Sequence, residues 1–151
     1  ESESVLDSTL GVQRDPDFSP DSKYVAFGVS GPGGGRIDVR SVDGTSKNTL
    51  NYPQAQLPKW APDGKSLYFL VQGDGIYKVP VTTDPSFEVL GVPQKVVGLQ
   101  SSVGSVWFDI SPDGNTLAMS GTSTDADLKG DGKNYSTLMW WRNWAQSLKD
   151  E

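Results

Sequence analysis

Three stretches of this chain are variants of one phrase: "FSPDSKYVAF" at 18–27, "WAPDGKSLYF" at 60–69 and "ISPDGNTLAM" at 110–119. A catalytic motif is rarely needed three times in one chain, whereas a structural unit often is. Aligned on Pro20, Pro62 and Pro112, the phrases recur at a period of about 40–50 residues, which suits a four-stranded propeller blade.

The local chemistry of the phrase agrees. Proline pre-sets φ for the first corner of a turn, aspartate tolerates the second and bonds back to the backbone, and glycine supplies a positive φ. "SPDS", "APDG" and "SPDG" are therefore tight hairpin turns. An apolar residue precedes each: Phe18, Trp60 and Ile110. A β-rich run follows each: "KYVAFGV", "KSLYFLV" and "NTLAMS". These runs carry apolar residues at successive positions as well as alternate ones, as expected for a sheet covered on both faces.

Each unit then continues. The first adds "RIDVRSV" (36–42), a turn at Asp43-Gly44 and "SKNTL" (46–50). The second turns at Gly73-Asp74-Gly75, runs through "IYKVPV" (76–81) and, after a wider loop, "QKVVGL" (94–99). The third resumes after an insertion as "STLMWWRNW" (136–144) and ends in "AQSLKDE". "SVLDSTLGV" (4–12) reads as the outer strand of a neighbouring blade. The expected organisation is one partial propeller: 1–14 an outer strand of a preceding or closing blade, 15–56 and 57–100 two blades, and 101–151 a third with a closing strand and short tail.

Composition narrows the chemistry. The chain has neither cysteine nor histidine, which excludes disulfides, thiolate chemistry, the usual base of a serine triad and the commonest zinc ligands. Its net charge of −6 comes without a Lys/Arg cluster, which argues against binding nucleic acid or docking on anionic lipid. No apolar run is long enough for a transmembrane helix. Neither a His-Arg-Asp loop nor an Asp-Phe-Gly triplet of a protein kinase is present.

The phrase "FSPDSKYVAF" resembles the repeat of TolB-type β-propellers, which are related to but distinct from WD repeats; the WD signature is missing here, with no His and no Trp-Asp pair. The stretches "GDGIYKVPVTTDPSFEVLGVPQKVVGL", "FDISPDGNTLAMS" and "STLMWWRNWAQSLKDE" resemble the final blades of bacterial TolB-like propellers, many of them fused behind serine/threonine kinase domains. Chains of that kind end in a strand, Asn-Trp and a short Leu-Lys tail, as Asn143-Trp144 and Leu148-Lys149 do here. The resemblance covers roughly residues 15–149. It implies an all-β fold of three four-stranded antiparallel blades, a location on the periplasmic or extracellular side of a bacterial envelope, and no single activity, since such folds serve many ends. Three blades fall short of the 4–8 of a closed propeller.

Several stretches are candidate sites. Asp125, Asp127 and Asp131 lie among glycines in "DADLKGDGKNY", and hard cations take oxygen ligands from such loops. Read as an EF-hand from Asp127, however, the third position is Lys129 and the twelfth Leu138. A solvated insertion and a calcium site are both readings of this loop. Asp21, Asp63 and Asp113 are explained by their turns. "SGPGGGR" (30–36) lacks the Lys-Ser/Thr of a phosphate loop and reads as a hairpin tip. The last strand crowds Trp140, Trp141, Arg142 and Trp144. Neighbouring strand residues face opposite sides, so Trp140 and Trp141 divide between packing and a protein-contact surface, where Trp and Arg are enriched.

The expected function is that of a non-catalytic propeller module which binds or scaffolds protein, with no cofactor other than calcium. The alternative is the propeller portion of a larger enzyme, a sensor serine/threonine kinase or a peptidase, whose catalytic domain lies outside this chain. A terminal blade is also expected to leave one sheet face open to further blades or to another subunit, with Trp140 or Trp141 in that contact.

Overall fold

The computed structural model describes residues 10–32, 34–99, 103–124 and 134–142. Among them the regular structure is entirely β, in three antiparallel sheets. The first holds β1 (Val12–Phe18), β2 (Tyr24–Gly31), β3 (Gly34–Ser41) and β4 (Lys47–Leu50) in chain order. The second holds β5 (Ala55–Trp60), β6 (Ser66–Val71), β7 (Gly75–Thr82), β8 (Glu88–Val89) and β9 (Gln94–Gly98). The third holds β10 (Val103–Ile110), β11 (Thr116–Thr124) and β12 (Asn134–Arg142). β1 starts at Val12, so residues 12–14 lie in the first sheet rather than in a preceding one. Residues 1–9 and the tail at 143–151 lie outside the described residues.

The repeated phrase does what its chemistry predicts. The amides of Ser22, Gly64 and Gly114 donate to the carbonyls of Ser19, Ala61 and Ser111 at 2.8–2.9 Å, closing each turn. The carboxylates of Asp21, Asp63 and Asp113 accept the amides of Lys23, Lys65 and Asn115 at 2.9–3.0 Å. The last turn position has a φ of 60° at Ser22, 70° at Gly64 and 71° at Gly114. Successive turns abut: a methyl added at Gly64 would meet the Pro20 ring at 3.9 Å, and one at Gly114 would meet Pro62 at the same distance.

β6 shows why the apolar run is continuous rather than alternating. Leu67, Phe69 and Val71 face the first sheet and share a core with Tyr24, Ala26, Ile37, Val39 and Leu50. Tyr68 and Leu70 point the other way, into a second core with Val106, Phe108, Leu117 and Met119 of the third sheet. The middle sheet is thus sandwiched, and every residue of β6 is buried. β5 runs so close to the first sheet that a side chain at Gly35 would sit 2.7 Å from the Ala55 carbonyl oxygen.

The fourth strand of the middle sheet is split. β8 pairs with Val81 and Thr82, whereas β9 pairs with Gly75–Lys78. Between them lies Pro80, which has no amide to donate, and Leu90 N–H bonds to its carbonyl at 2.8 Å. The chain leaves the sheet there and returns at Gln94.

The outward face of the first sheet is buried along its centre. Val25, Phe27 and Val29 on β2 form a third buried cluster, and beside them Asp38 and Arg40 are paired at 3.0 Å with side chains only 1% and 5% exposed. The two central strands of this face are thus buried, while its edge strands are open to solvent. Exposure there falls on its two rims, at Gln13 and Phe18 on β1, opposite Val29 and Val25, and at Lys47 and Thr49 on β4, opposite Arg40 and Asp38.

Candidate functional site

β1, β5 and β10 are the innermost strands, and β5 packs against both of the others. Counting back from each turn, Asp17, Lys59 and Asp109 hold equivalent places. The structure links them into a ladder across the inner edges: Lys59 Nζ lies 3.9 Å from Asp17 Oδ1 and 3.6 Å from Asp109 Oδ1. Asp17 Oδ2 also accepts the Trp60 amide at 2.7 Å, tying the first sheet to the second. Burial pushes the Asp17 carboxyl above its ordinary range; the Trp60 amide and Lys59 pull against that shift, and Asp109 adds to it. Further ties join the same sheets. Thr83 Oγ1 donates to Asp21 Oδ2 at 2.8 Å, and the Phe87 amide donates to the Tyr24 hydroxyl at 3.1 Å.

At the end of the inner strands away from the Pro-Asp turns is a cleft of about 400 Å³, lined by Arg14, Asp15, Gln56, Leu57, Gln72, Val106 and Trp107. It takes residues from all three sheets. Register breaks in every inner strand accompany it, between Arg14 and Asp17, Gln56 and Lys59, and Val103 and Val106. A bulge lets two neighbouring residues lie opposite one partner and re-aims their side chains. That is how Arg14 and Asp15, adjacent in one strand, line the same cleft. Asp15 and Leu57 hold φ values of 54° and 51°, a left-handed conformation uncommon for residues with side chains. None of the sequence motifs singles out these residues. A signal was present in Pro16 and Pro58, each four residues before a turn proline: proline inside a strand run marks a bulge or an edge.

A second feature is on the outside of the middle sheet. Where the chain leaves the sheet at Pro80, Val89, Leu90 and Val92 are 41%, 60% and 76% exposed. They are held in place because Phe87 just before them is buried against Tyr24 and Trp60.

The other sequence candidates divide. Asp21, Asp63 and Asp113 are turn residues, as expected. Asp113 is held below the ordinary carboxylate range by Ser111 and the Asn115 amide. At Asp21 burial pushes upward, but bonds from Ser19, Lys23 and Thr83 outweigh it and the group is lowered. Gly31 and Gly34 close the β2–β3 hairpin. β12 pairs with β11 along its length, with Trp140 opposite Ala118, Trp141 opposite Leu117 and Arg142 opposite Thr116. Trp144, Asp125, Asp127 and Asp131 lie outside the described residues. Among the described residues no group of three acidic side chains is arranged to hold a metal ion, and no helix is long and apolar enough to cross a membrane.

No family model matches the chain, and no curated protein does. Solved structures do. A candidate TolB from Agrobacterium tumefaciens is similar over 90% of this chain and 48% of its own, with a TM-score of 0.63 at 20% identity. TolB from Acinetobacter baumannii is similar over 85% and 33%, with a TM-score of 0.56 at 17% identity. Oligogalacturonate lyase from Vibrio parahaemolyticus is similar over 91% and 39%, with a TM-score of 0.65 at 12% identity. The chain therefore has a TolB-like β-propeller fold, as three blades of a partial ring, and spans less than half the length of these structures. At such identities the likeness concerns the fold alone.

Proposed function

We propose that this chain is a non-catalytic propeller module that binds protein partners, on the periplasmic or extracellular side of a bacterial envelope. The observation that carries the reading is the exposed strip Val89, Leu90 and Val92, three large apolar side chains within four residues. Apolar groups clustered on a positioned surface are what protein interfaces use. The strip exists because Pro80 interrupts the ladder, so it is built into the sheet rather than left over from packing. The location is drawn from the resemblance to TolB. Trp140, Trp141, Arg142 and Trp144 belong to the same proposal as a second contact element, on and just beyond the edge strand β12.

The test is gel filtration of cross-linked envelope extracts from cells carrying the natural protein or its Leu90→Ser/Val92→Ser form. The natural protein should run in a complex from which the variant is absent. A natural protein that runs free under the same cross-linking sinks the proposal. The alternative, that these blades serve a larger enzyme, draws support from one observation, that a similar propeller is named as an enzyme, oligogalacturonate lyase. The intact mass of the native gene product decides it: a species far heavier than 16.3 kDa carrying a kinase or hydrolase domain supports that alternative.

A further inference from the structure

We propose that the inner-strand cleft binds an uncharged sugar unit of an oligosaccharide. Trp107 lines it and is 58% exposed, although Val106 and Phe108 on either side are buried. Its floor is Leu57 and Val106. Its rim is polar and unspent. Among the described residues, neither Arg14 nor Asp15 makes a side-chain hydrogen bond or ion pair. Gln56 Nε2 donates to Gln72 Oε1 at 2.6 Å, which leaves the Gln56 carbonyl and the Gln72 amino group to face a ligand.

A pyranose ring matches this inventory in each part. One face of the ring is a patch of C–H groups that lies on an aromatic plane. Its edge carries hydroxyls, each both donor and acceptor, which fit a guanidinium, a carboxylate and two amides side by side. One positive and one negative group leave the cleft without net charge, so it offers no preference for a phosphate or a polyanion. At about 400 Å³ the cleft falls within the range of small-molecule sites, which are apolar with a few placed polar groups. A peptide added as a strand would need regular edge spacing, and the register breaks beside the cleft remove it from β1 and β5.

The site lies on the inner strands, apart from the strip at 89–92, so either proposal can fail without the other. The test uses the protein as expressed from its gene. Calorimetric titrations are run with cellotriose, chitotriose and mannotriose, with trigalacturonate and a set of unstructured peptides beside them. At least one neutral trisaccharide should bind saturably. Trp107→Ala and Arg14→Ala should each weaken it by about tenfold or more, and Trp107→Phe should retain most of the affinity. All three variants should melt at the natural temperature. The proposal is overturned if no neutral trisaccharide binds at millimolar concentration, if both alanine variants bind as well as the natural protein, or if trigalacturonate or a peptide is preferred.

Discussion

Truncating Phe69 to alanine tests the stacked-sheet architecture directly. Its side chain is wholly buried at the junction of the first and second sheets. Its ring stacks on Tyr77 at 5.8 Å between centroids and meets Tyr52 at 5.3 Å. Phe→Ala in a packed core costs about 4 kcal/mol, the lost transfer energy plus the cavity left behind. Leu70, the next residue, points to the opposite junction and is 1% exposed, so Leu70→Ala should cost about 3 kcal/mol. With a urea slope of about 2 kcal/mol per molar, the unfolding midpoints should fall by about 2 M and 1.5 M respectively. The pair is informative because consecutive strand residues face opposite sides. Only a sheet covered on both faces makes both truncations expensive. A cost below about 1 kcal/mol for either variant, close to the range of surface substitutions, would falsify the packing of that face.

Ser22→Gly should stabilise the protein by about 0.5 kcal/mol. The left-handed backbone costs an L-residue about 1–2 kcal/mol, and the greater freedom of glycine in the unfolded chain takes back part of the gain; a lower urea midpoint refutes the argument. Asp17→Asn keeps a carbonyl to accept the Trp60 amide but removes the charge. Because burial raises the folded-state pKa of Asp17 above its usual 3.8, its contribution to stability is full below that ordinary value and is lost as pH rises through the raised one. The variant should therefore match the natural protein in acid and melt higher near neutrality, and a melting difference that does not change with pH contradicts this. Removing the turn carboxylates should cost most at Asp21, less at Asp113 and least at Asp63. Among the described residues Asp21 holds three partners, Ser19, Lys23 and Thr83; Asp113 holds Ser111 and Asn115; Asp63 holds only Lys65. Equal costs by denaturation would show that the turn alone, without these bonds, sets the effect. Calcium binding, where calorimetry detects it, should vanish in Asp127→Ala; unchanged binding removes the 125–134 loop from consideration.

What the sequence by itself determined is local. The three Pro-Asp turns, the positive φ at their last position and the hairpin tips depend on residues within four or five positions of one another. Their chemistry is therefore written in order along the chain, and so is the two-sided burial of β6, from its unbroken apolar run. What the tertiary structure decided depends on residues brought together from far apart. Asp17 caps the Trp60 amide across 43 residues and Thr83 reaches Asp21 across 62, and no spacing in the chain announces either pair. The cleft is of the same kind. Arg14, Gln56 and Trp107 occupy three strands, and they converge only because each strand carries a bulge at the same end of the stack. Pro80 shows both levels at once. Its missing amide is legible in the sequence, but the break it makes matters because β8 and β9 both return to the same neighbour, leaving Leu90 and Val92 in water. Local geometry is set by covalent neighbours and short-range hydrogen bonds, whereas a surface is set by which sheets stack.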